Sequence, residues 1–324
     1  MTSTMTEKTL VEAESLRREL VAHCYRMVGS LHDAEDLVQE TYLRAWRAFD
    51  GFERRSSLRT WLYRIATNTC LTAIERRGRR PLPTGLGQPP GNPDGPLVSS
   101  DGPWLEPAPD SVLWSDPAPD PAATVVERDA VRLAFVAALQ HLTAQQRAVL
   151  LLRDVLCWQA SEVADALGLS VGAVTSSLQR ARAHLARLDE PDDVLASDDP
   201  RVQELLDRYV DAFERYDVDA IVSLLTSDAR WEMPPYVEWY EGASTIGRLI
   251  AAQCPASGPG DMRLVPTRAN GRPAVAMYMR DAQGVHRPFQ VQHLAVTARG
   301  VRHVTVWFDP AVLATFGLTE PLEP

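Results

Sequence analysis

Three groups of residues in this sequence have side chains suited to recognition or catalysis. The first is Asp33, Asp36, Gln39 and Glu40, spaced three and four apart, so a helix sets them along one side. Carboxylates and an amide in that array suit a basic protein partner. Periodicity alone fits plain solvated helix surface as well. The second group is cationic. Arg54, Arg55, Arg59 and Arg64 are suited to phosphates, and Asn68 carries an amide that can pair with a base edge. The cluster Arg76-Arg-Gly-Arg-Arg80 reads either as a phosphate contact or as a solvated helix end. The third group lies near the C-terminus. Asp309 and His293 can exchange a proton, and Trp231, Tyr236, Trp239 and Tyr240 are aromatics of the same segment. The alternative there is a packed core with no ligand.

Helices must position the first two groups. Leu37, Val38, Thr41, Tyr42, Ala45, Trp46 and Phe49 recur at helical spacing, as do Leu58, Trp61, Leu62, Ile65, Ala66 and Ile74. The turn signal Asp50-Gly51 and a Ser56-Ser57 cap separate them. Trp61 lies on the apolar stripe and is expected to be core rather than a stacking platform. Further on, Thr143-Ala-Gln-Gln146 opens a helix as a capping box. Then a short helix from Ser161, a break at Gly168, a cap at Ser170 and a second helix make a helix-turn-helix pattern, with Val163, Ala164, Leu167, Leu169 and Val174 between the two. Past residue 201, two helices precede strand-like runs at 229–233, 262–268, 274–280, 288–297 and 301–308. That order predicts an α+β domain on a curved sheet.

Charge and composition divide the chain further. The 324 residues carry a net charge of −10, which on its face argues against nucleic acid, but residues 1–80 and 128–188 are each net +3. Residues 81–127 are net −7 with no basic residue, and residues 189–324 are net −9. Two basic blocks, an acidic spacer and an acidic domain suit a protein with separate nucleic-acid and protein surfaces. Half of the 24 prolines fall in 81–121, so this stretch is expected to be extended or disordered when free. No apolar run reaches the roughly 18 residues of a membrane helix, and the first residues lack a signal-peptide core, which predicts a cytoplasmic protein without membrane contact. Cys24, Cys70, Cys157 and Cys254 are far apart and are expected to be buried free thiols, with no metal site and no cofactor.

The stretch Asp33-Ala-Glu-Asp36-Leu-Val-Gln39-Glu40-Thr-Tyr-Leu-Arg-Ala-Trp46, continued by 52–74, closely resembles region 2 of extracytoplasmic-function sigma factors. The helix-turn-helix with Arg180-Ala-Arg182 resembles their region 4. The resemblance implies that Asp33, Asp36, Gln39 and Glu40 dock on clamp helices of core RNA polymerase. It implies that Phe52, Arg54, Arg55, Ser56, Arg59, Arg64 and Asn68 face the −10 element of promoter DNA. Ser170, Gly172, Thr175, Ser176, Ser177, Gln179, Arg180 and Arg182 would face the −35 element. A common family pattern there is Gly-x-Val-Lys-Ser-Arg, whereas this chain has Gly172-Ala-Val-Thr175-Ser-Ser177, two hydroxyls in place of cations. The acids Asp94, Asp101, Glu106, Asp110, Asp116 and Asp120 would lie in a linker that threads toward the polymerase cleft. Trp104-Leu105-Glu-Pro107 resembles, in altered order, a linker motif of sigma factors with C-terminal extensions, and marks Trp104 and Leu105 as an anchor. With Tyr209 and Asp217-x-Asp219 on a helix pair, Trp231-Glu-Met-Pro-Pro235, Tyr240-Glu-Gly242 and a closing Val304–Asp309 strand, residues 201–318 resemble the SnoaL-like group of the nuclear transport factor 2-like superfamily, a pairing found in sigma-G type factors. Since some SnoaL relatives are isomerases or cyclases, the resemblance implies Asp309 and His293 as acid–base candidates inside the cone and Trp231, Tyr236, Trp239 and Tyr240 as its walls.

The expected layout is thus two all-α sigma domains, 10–80 and 125–188, joined by a linker at 81–124. An acidic linker at 189–200 leads to an α+β SnoaL-like cone at 201–320 that contacts the sigma core and linker and regulates them. The expected function is promoter-specific initiation without enzymatic activity. Two rival readings stand beside it: a stand-alone helix-turn-helix regulator, and a SnoaL-type enzyme with a DNA-binding appendage and a small ligand inside the cone.

Overall fold

The computed structural model describes residues 7–52, 56–114, 130, 132–186 and 193–322. Arg54, Arg55, Asp116, Asp120 and the start of the 189–200 linker lie outside these. The chain forms two compact units, Met1–Arg80 with Ser111–Glu190, and Pro81–Asp110 with Pro191–Pro324.

The first unit is helical. α1 (Glu7–Ser15) and α2 (Arg17–Val28) are followed by Gly29, whose left-handed backbone (φ 73°) ends α2. The Ser30 side chain then caps α3 (Leu31–Ala48) by accepting from the Asp33 amide, and Ser57 caps α4 (Leu58–Arg77) by accepting from Thr60. α5 (Leu133–Gln140) leads to α6 (Ala144–Leu150), which opens on the expected Thr143/Gln146 capping box and widens into a π turn over Leu151–Val155. α7 (Ala160–Leu167) ends at Gly168 in the left-handed region, and α8 (Val171–Leu185) begins on the Ser170 cap. Val163, Ala164 and Val174 are buried between α7 and α8, while Leu167 and Leu169 stay half-buried. The blocks 17–77 and 133–185 pack together, α2 and α4 touching α5, α6 and α7.

The second unit is built on a six-stranded sheet ordered β2-β1-β6-β5-β4-β3. The strands are β1 (Leu225–Glu232), β2 (Trp239–Glu241), β3 (Met262–Ala269), β4 (Arg272–Arg280), β5 (His286–Thr297) and β6 (Gly300–Trp307). β1 and β6 run parallel and the other neighbours antiparallel. α9 (Pro200–Glu214), α10 (Val218–Leu224) and α11 (Ala243–Gln253) cover one face. Tyr209, Phe213, Ile221, Trp231, Tyr240, Ile246, Leu264, Val275, Leu294 and Val304 fill the space between. α12 (Pro310–Thr315) follows the sheet. Three elements extend the sequence reading: β2, too short for a periodic signal, α11, whose Ile246, Leu249 and Ile250 have helical spacing, and α12, which starts on Asp309-Pro310.

Residues 81–110 depart from expectation: rather than a spacer without a core of their own, they belong to the second unit. Their backbone groups find partners on β2, in the loop before it and in the β3–β4 turn. Gly91 N–H donates to Trp239 O, Val237 N–H to Val98 O, Ser100 N–H to Pro235 O, and Asn270 N–H to Ala108 O. Proline-rich composition limits what a segment can bury by itself, but a sheet supplied from elsewhere removes that limit.

Among the described residues no helix is long and apolar enough to cross a membrane, and no group of His, Cys, Asp and Glu converges as a metal site. Cys24 and Cys70 are buried, Cys254 is partly covered, and Cys157 is exposed. The expectation of burial therefore fails at Cys157, which sits with φ 56° in the turn before α7.

Candidate nucleic-acid interface

On α3, Asp36 and Gln39 are exposed, and half-buried Glu40 pairs with Arg44 one turn on (2.7 Å). Leu43 and Trp46, both more than half exposed, extend the same side of the helix. Asp33 does not belong to this face. Its side chain is 9% exposed and accepts from Arg77 and from Arg80 Nη2 (2.7 Å) at the far end of the block. Burial alone would raise the Asp33 carboxyl, but the two guanidiniums outweigh it and hold the group below the ordinary aspartate value.

At the start of α4, Phe52 stacks on Trp61 with ring centroids 4.6 Å apart, and Phe49 meets Trp61 edge-on. Trp61 is thus half-buried under Phe52 rather than fully in the core. Ser56 and Arg64 are exposed. Arg59 is engaged within the block, donating to Glu19 (2.7 Å) and lying 4.9 Å over the Tyr63 ring. Asn68 lies on the exposed side, yet its amide donates to Arg64 O (2.9 Å) and to Ala166 O of α7 (3.3 Å).

Arg147 of α6 fastens the two helical blocks more deeply. It is 1% exposed, and its guanidinium donates to Met27 O at the end of α2, to Gln140 Oε1 (2.9 Å) and to Leu142 O (3.4 Å). A cation on the carbonyl end of a helix is favourable. Burial nonetheless depresses Arg147 to about 10.

α8 presents Ser170, Val171, Gly172, Thr175, Ser176, Gln179 and Arg180 to solvent. Two residues read as DNA-facing are placed otherwise. Ser177 is 1% exposed and faces inward, because position 177 shares the buried side with Val174, Leu178 and Ala181. Arg182 is exposed but held by Asp154 in a two-pronged pair (2.7 and 2.9 Å).

In the second unit the candidate pocket residues do not converge. Trp231 and Tyr240 pack in the apolar interior. Asp309 is exposed and caps α12, accepting from the Ala311 amide (2.8 Å). An Asp before Pro310 is a helix-start signal, and the side chain is spent there. Trp239 Nε1 donates to Gln88 O (2.9 Å), and Tyr236 lies edge-on to Phe308. His293 is on the other side of the sheet, since Gln292 and Leu294 face the interior and side chains alternate. Burial first, then the nearby charges of His303 and Arg272, lower His293 to about 3, so the ring is neutral.

That other side holds a polar row. His293, Thr305 and Glu232 are cross-strand neighbours on β5, β6 and β1. Glu232 is fully buried, within 2.8 Å of His303 Nε2 and 3.3 Å of Thr305 Oγ1, and accepts from Thr84 N (3.0 Å) and Thr84 Oγ1 (2.9 Å). Burial would raise this carboxyl, but His303 and the Thr84 donors hold it below the ordinary glutamate value. Trp307, 1% exposed, donates from Nε1 to Leu105 O (2.8 Å), and Leu105 itself is fully buried. Ala108 N–H donates to Asn270 Oδ1 (2.9 Å), while Asp110 accepts from Arg268 (3.0 Å) and Gly271 N–H (2.8 Å). Residues 81–110 thus form a strap that meets the outer face at Thr84 and Leu105, passes β2 and α11 at 91–97, and is anchored at Leu105. Trp104 is half-buried, its Nε1 turned back to Ser100 O (3.2 Å).

Comparison with known proteins agrees with this geometry. Residues 13–80 match the Sigma-70 region 2 model, 132–185 the Sigma-70 region 4 model and 206–309 the SnoaL-like domain model. The ECF RNA polymerase sigma factor SigG of Mycobacterium tuberculosis is 60% identical over 312 residues, covering 95% of this chain and 83% of that protein. The chain belongs to the extracytoplasmic-function (ECF) sigma factors of RNA polymerase. SigJ of the same species is 30% identical over 257 residues, covering 77% of this chain and 74% of that one. The crystal structure of SigJ shares the fold, with a TM-score of 0.64 over 96% of this chain and all of that chain.

As an ECF sigma factor the chain carries its region 2 on α1–α4 and its region 4 on α5–α8. The rival reading of a stand-alone helix-turn-helix regulator leaves the region 2 block without a role. The reading of the cone as an enzyme loses one of its two acid–base candidates, since Asp309 is a helix cap. Glu232, Thr84, Trp307 and Arg147 were not among the sequence candidates. Glu232 could have been found from the alternation along Trp231-Glu232-Met233, which sets it opposite the core.

Proposed function

We propose that this sigma factor directs promoter-specific initiation through the first unit and that the SnoaL-like domain restrains it by holding the linker. Asp36, Gln39 and Glu40, with Leu43 and Trp46 beside them, form the surface for core polymerase. Phe52, Ser56, Arg64 and Asn68 meet the −10 element, and the exposed residues of α8 meet the −35 element. The observation that carries the regulatory part is the strap, a segment between the two DNA-reading blocks whose backbone and side chains are bonded to the SnoaL-like sheet. A linker bound there is not available to thread into the polymerase cleft. The packing of Asn68 against Ala166 O supports the same restrained state, since the amide that would pair with a base is already engaged. A ligand or partner shifts the balance only by preferring the strapped or the released form.

The test is in vitro transcription with core polymerase, comparing the full chain with residues 1–200. Removing the sheet should raise output from the cognate promoter. Equal output would sink the regulatory reading, and lower output would make the domain an activator.

A further inference from the structure

We infer that α8 reads the −35 element through thymine 5-methyl groups, contacted by Val171 and by the methyl of Thr175. This rests on the reading that α8 enters the major groove.

Val171 is the first residue of α8, and its side chain is 49% exposed. Residues at the start of a recognition helix are the ones that reach base edges. Thr175, one turn on and also exposed, donates its hydroxyl proton to Val171 O (3.0 Å). Its polar bond is made within the helix, so its methyl becomes its main recognition group. The other hydroxyls of the first two turns are limited by capping or by burial. Ser170 Oγ caps the helix by accepting from Ala173 N–H (3.1 Å), and Ser177 is buried. Only Ser176 presents a side-chain hydroxyl without such a commitment, and a hydroxyl reads bases with little preference.

The usual base readers are missing from this stretch. Guanine is read by Arg or Lys, adenine by Asn or Gln, cytosine by Asp or Glu. From Val171 to Leu178 the sequence contains none of these. The first is Gln179, about 12 Å further along the axis at 1.5 Å per residue. The apolar group on a major-groove base edge is the thymine methyl. Val171 and Thr175 are about 6 Å apart along the axis, which spans neighbouring base pairs. The readout is therefore one or two thymines, with phosphate contacts supplied by Arg180.

Full-length chain bound to core polymerase would first select active promoters from random-sequence DNA. Each thymine of the selected −35 element is then replaced by deoxyuridine, which lacks only the methyl. Promoter occupancy should fall about three- to five-fold at one or two of them, the worth of one buried methyl each. Val171→Ala should abolish the difference between thymine and uracil at one position, and Thr175→Ser at the other. Equal occupancy with thymine and uracil throughout overturns the inference, as does a selected element with no thymine. Arg180→Glu separates the two layers of the argument. If it removes −35 dependence while uracil has no effect, α8 reads the groove by other means. If it too has no effect, the placement of α8 in the groove fails as well.

Discussion

Leu105→Ala should loosen the strap from the sheet, and Trp104→Ala should not. Leu105 is fully buried, and truncating such a leucine costs about 2–5 kcal/mol. The lower end applies, because a segment on the outside of a sheet can settle into part of the void. The hydrogen bond from Trp307 survives, since its acceptor is the backbone carbonyl of residue 105, so the loss is one of packing. Trp104 is half-buried, and its Nε1 bonds four residues back to Ser100 O, so its truncation empties less of the interior and should cost about 1 kcal/mol. A loss of about 2 kcal/mol corresponds to roughly thirty-fold in the opening equilibrium. Hydrogen exchange at the amides of Thr84, Ala108 and Asn270 reads that equilibrium directly, because all three are bonded across the strap. In Leu105→Ala they should accelerate together by about that factor, with a matching rise in transcription by the full chain. If Trp104→Ala accelerates them as much, or if Leu105→Ala leaves them unchanged, the assignment of the anchor is wrong.

Other substitutions separate docking from folding. Reversing charge at Asp36 and Glu40 should weaken binding to core polymerase while the fold stays intact, since Asp36 is exposed and the half-buried Glu40 would lose an i,i+4 pair to Arg44 worth about 0.3–0.5 kcal/mol; unchanged affinity for core would refute the docking face. Asp33→Asn should do the opposite, destabilising region 2 by about 1–3 kcal/mol through the lost bonds to Arg77 and Arg80. Because the folded-state value of Asp33 is depressed, its contribution is complete above about pH 4, the value of a free aspartate, and fades as pH falls through the lower folded value. Urea titrations of wild type and Asp33→Asn should therefore converge in acid, and a constant gap down to pH 2 would contradict the ion pair. Asn68→Ala should lower open-complex formation by about 1–3 kcal/mol of base discrimination, measured by permanganate reactivity of the melted strand; equal reactivity would place the base contact elsewhere.

Much of the first unit was legible because its signals are local. The Ser57 cap, the Thr143/Gln146 box, the Gly168 break and the Ser170 cap each act within four residues. What escaped depends on partners far along the chain. Asp33 has the same helical period as Asp36, and only Arg77 and Arg80, 44 and 47 positions later, take it out of the exposed face. Ser177 was read by motif position rather than by the buried side it shares with Val174 and Ala181. The strap was the least legible part. Its composition signals a segment without a core of its own, but not that a sheet made much later in the chain would accept it. Asp309 is the converse case, a local helix-start signal passed over for a chemical role.

The partners of the strap are made in a fixed order at the ribosome. Leu105 meets Trp307 across 202 positions, and Thr84 meets Glu232 across 148. Both helical blocks are complete before β6 exists. At about 5–20 residues per second, roughly 10–40 seconds separate synthesis of Leu105 from synthesis of Trp307. During that interval the linker of a nascent chain has no sheet to dock on, and the restraint exists only for chains finished through β6. Ribosomes stalled within 201–300 should therefore carry chains whose linker is cut by added protease at the rate of an unstructured peptide, with protection arriving abruptly once the last strand clears the exit tunnel.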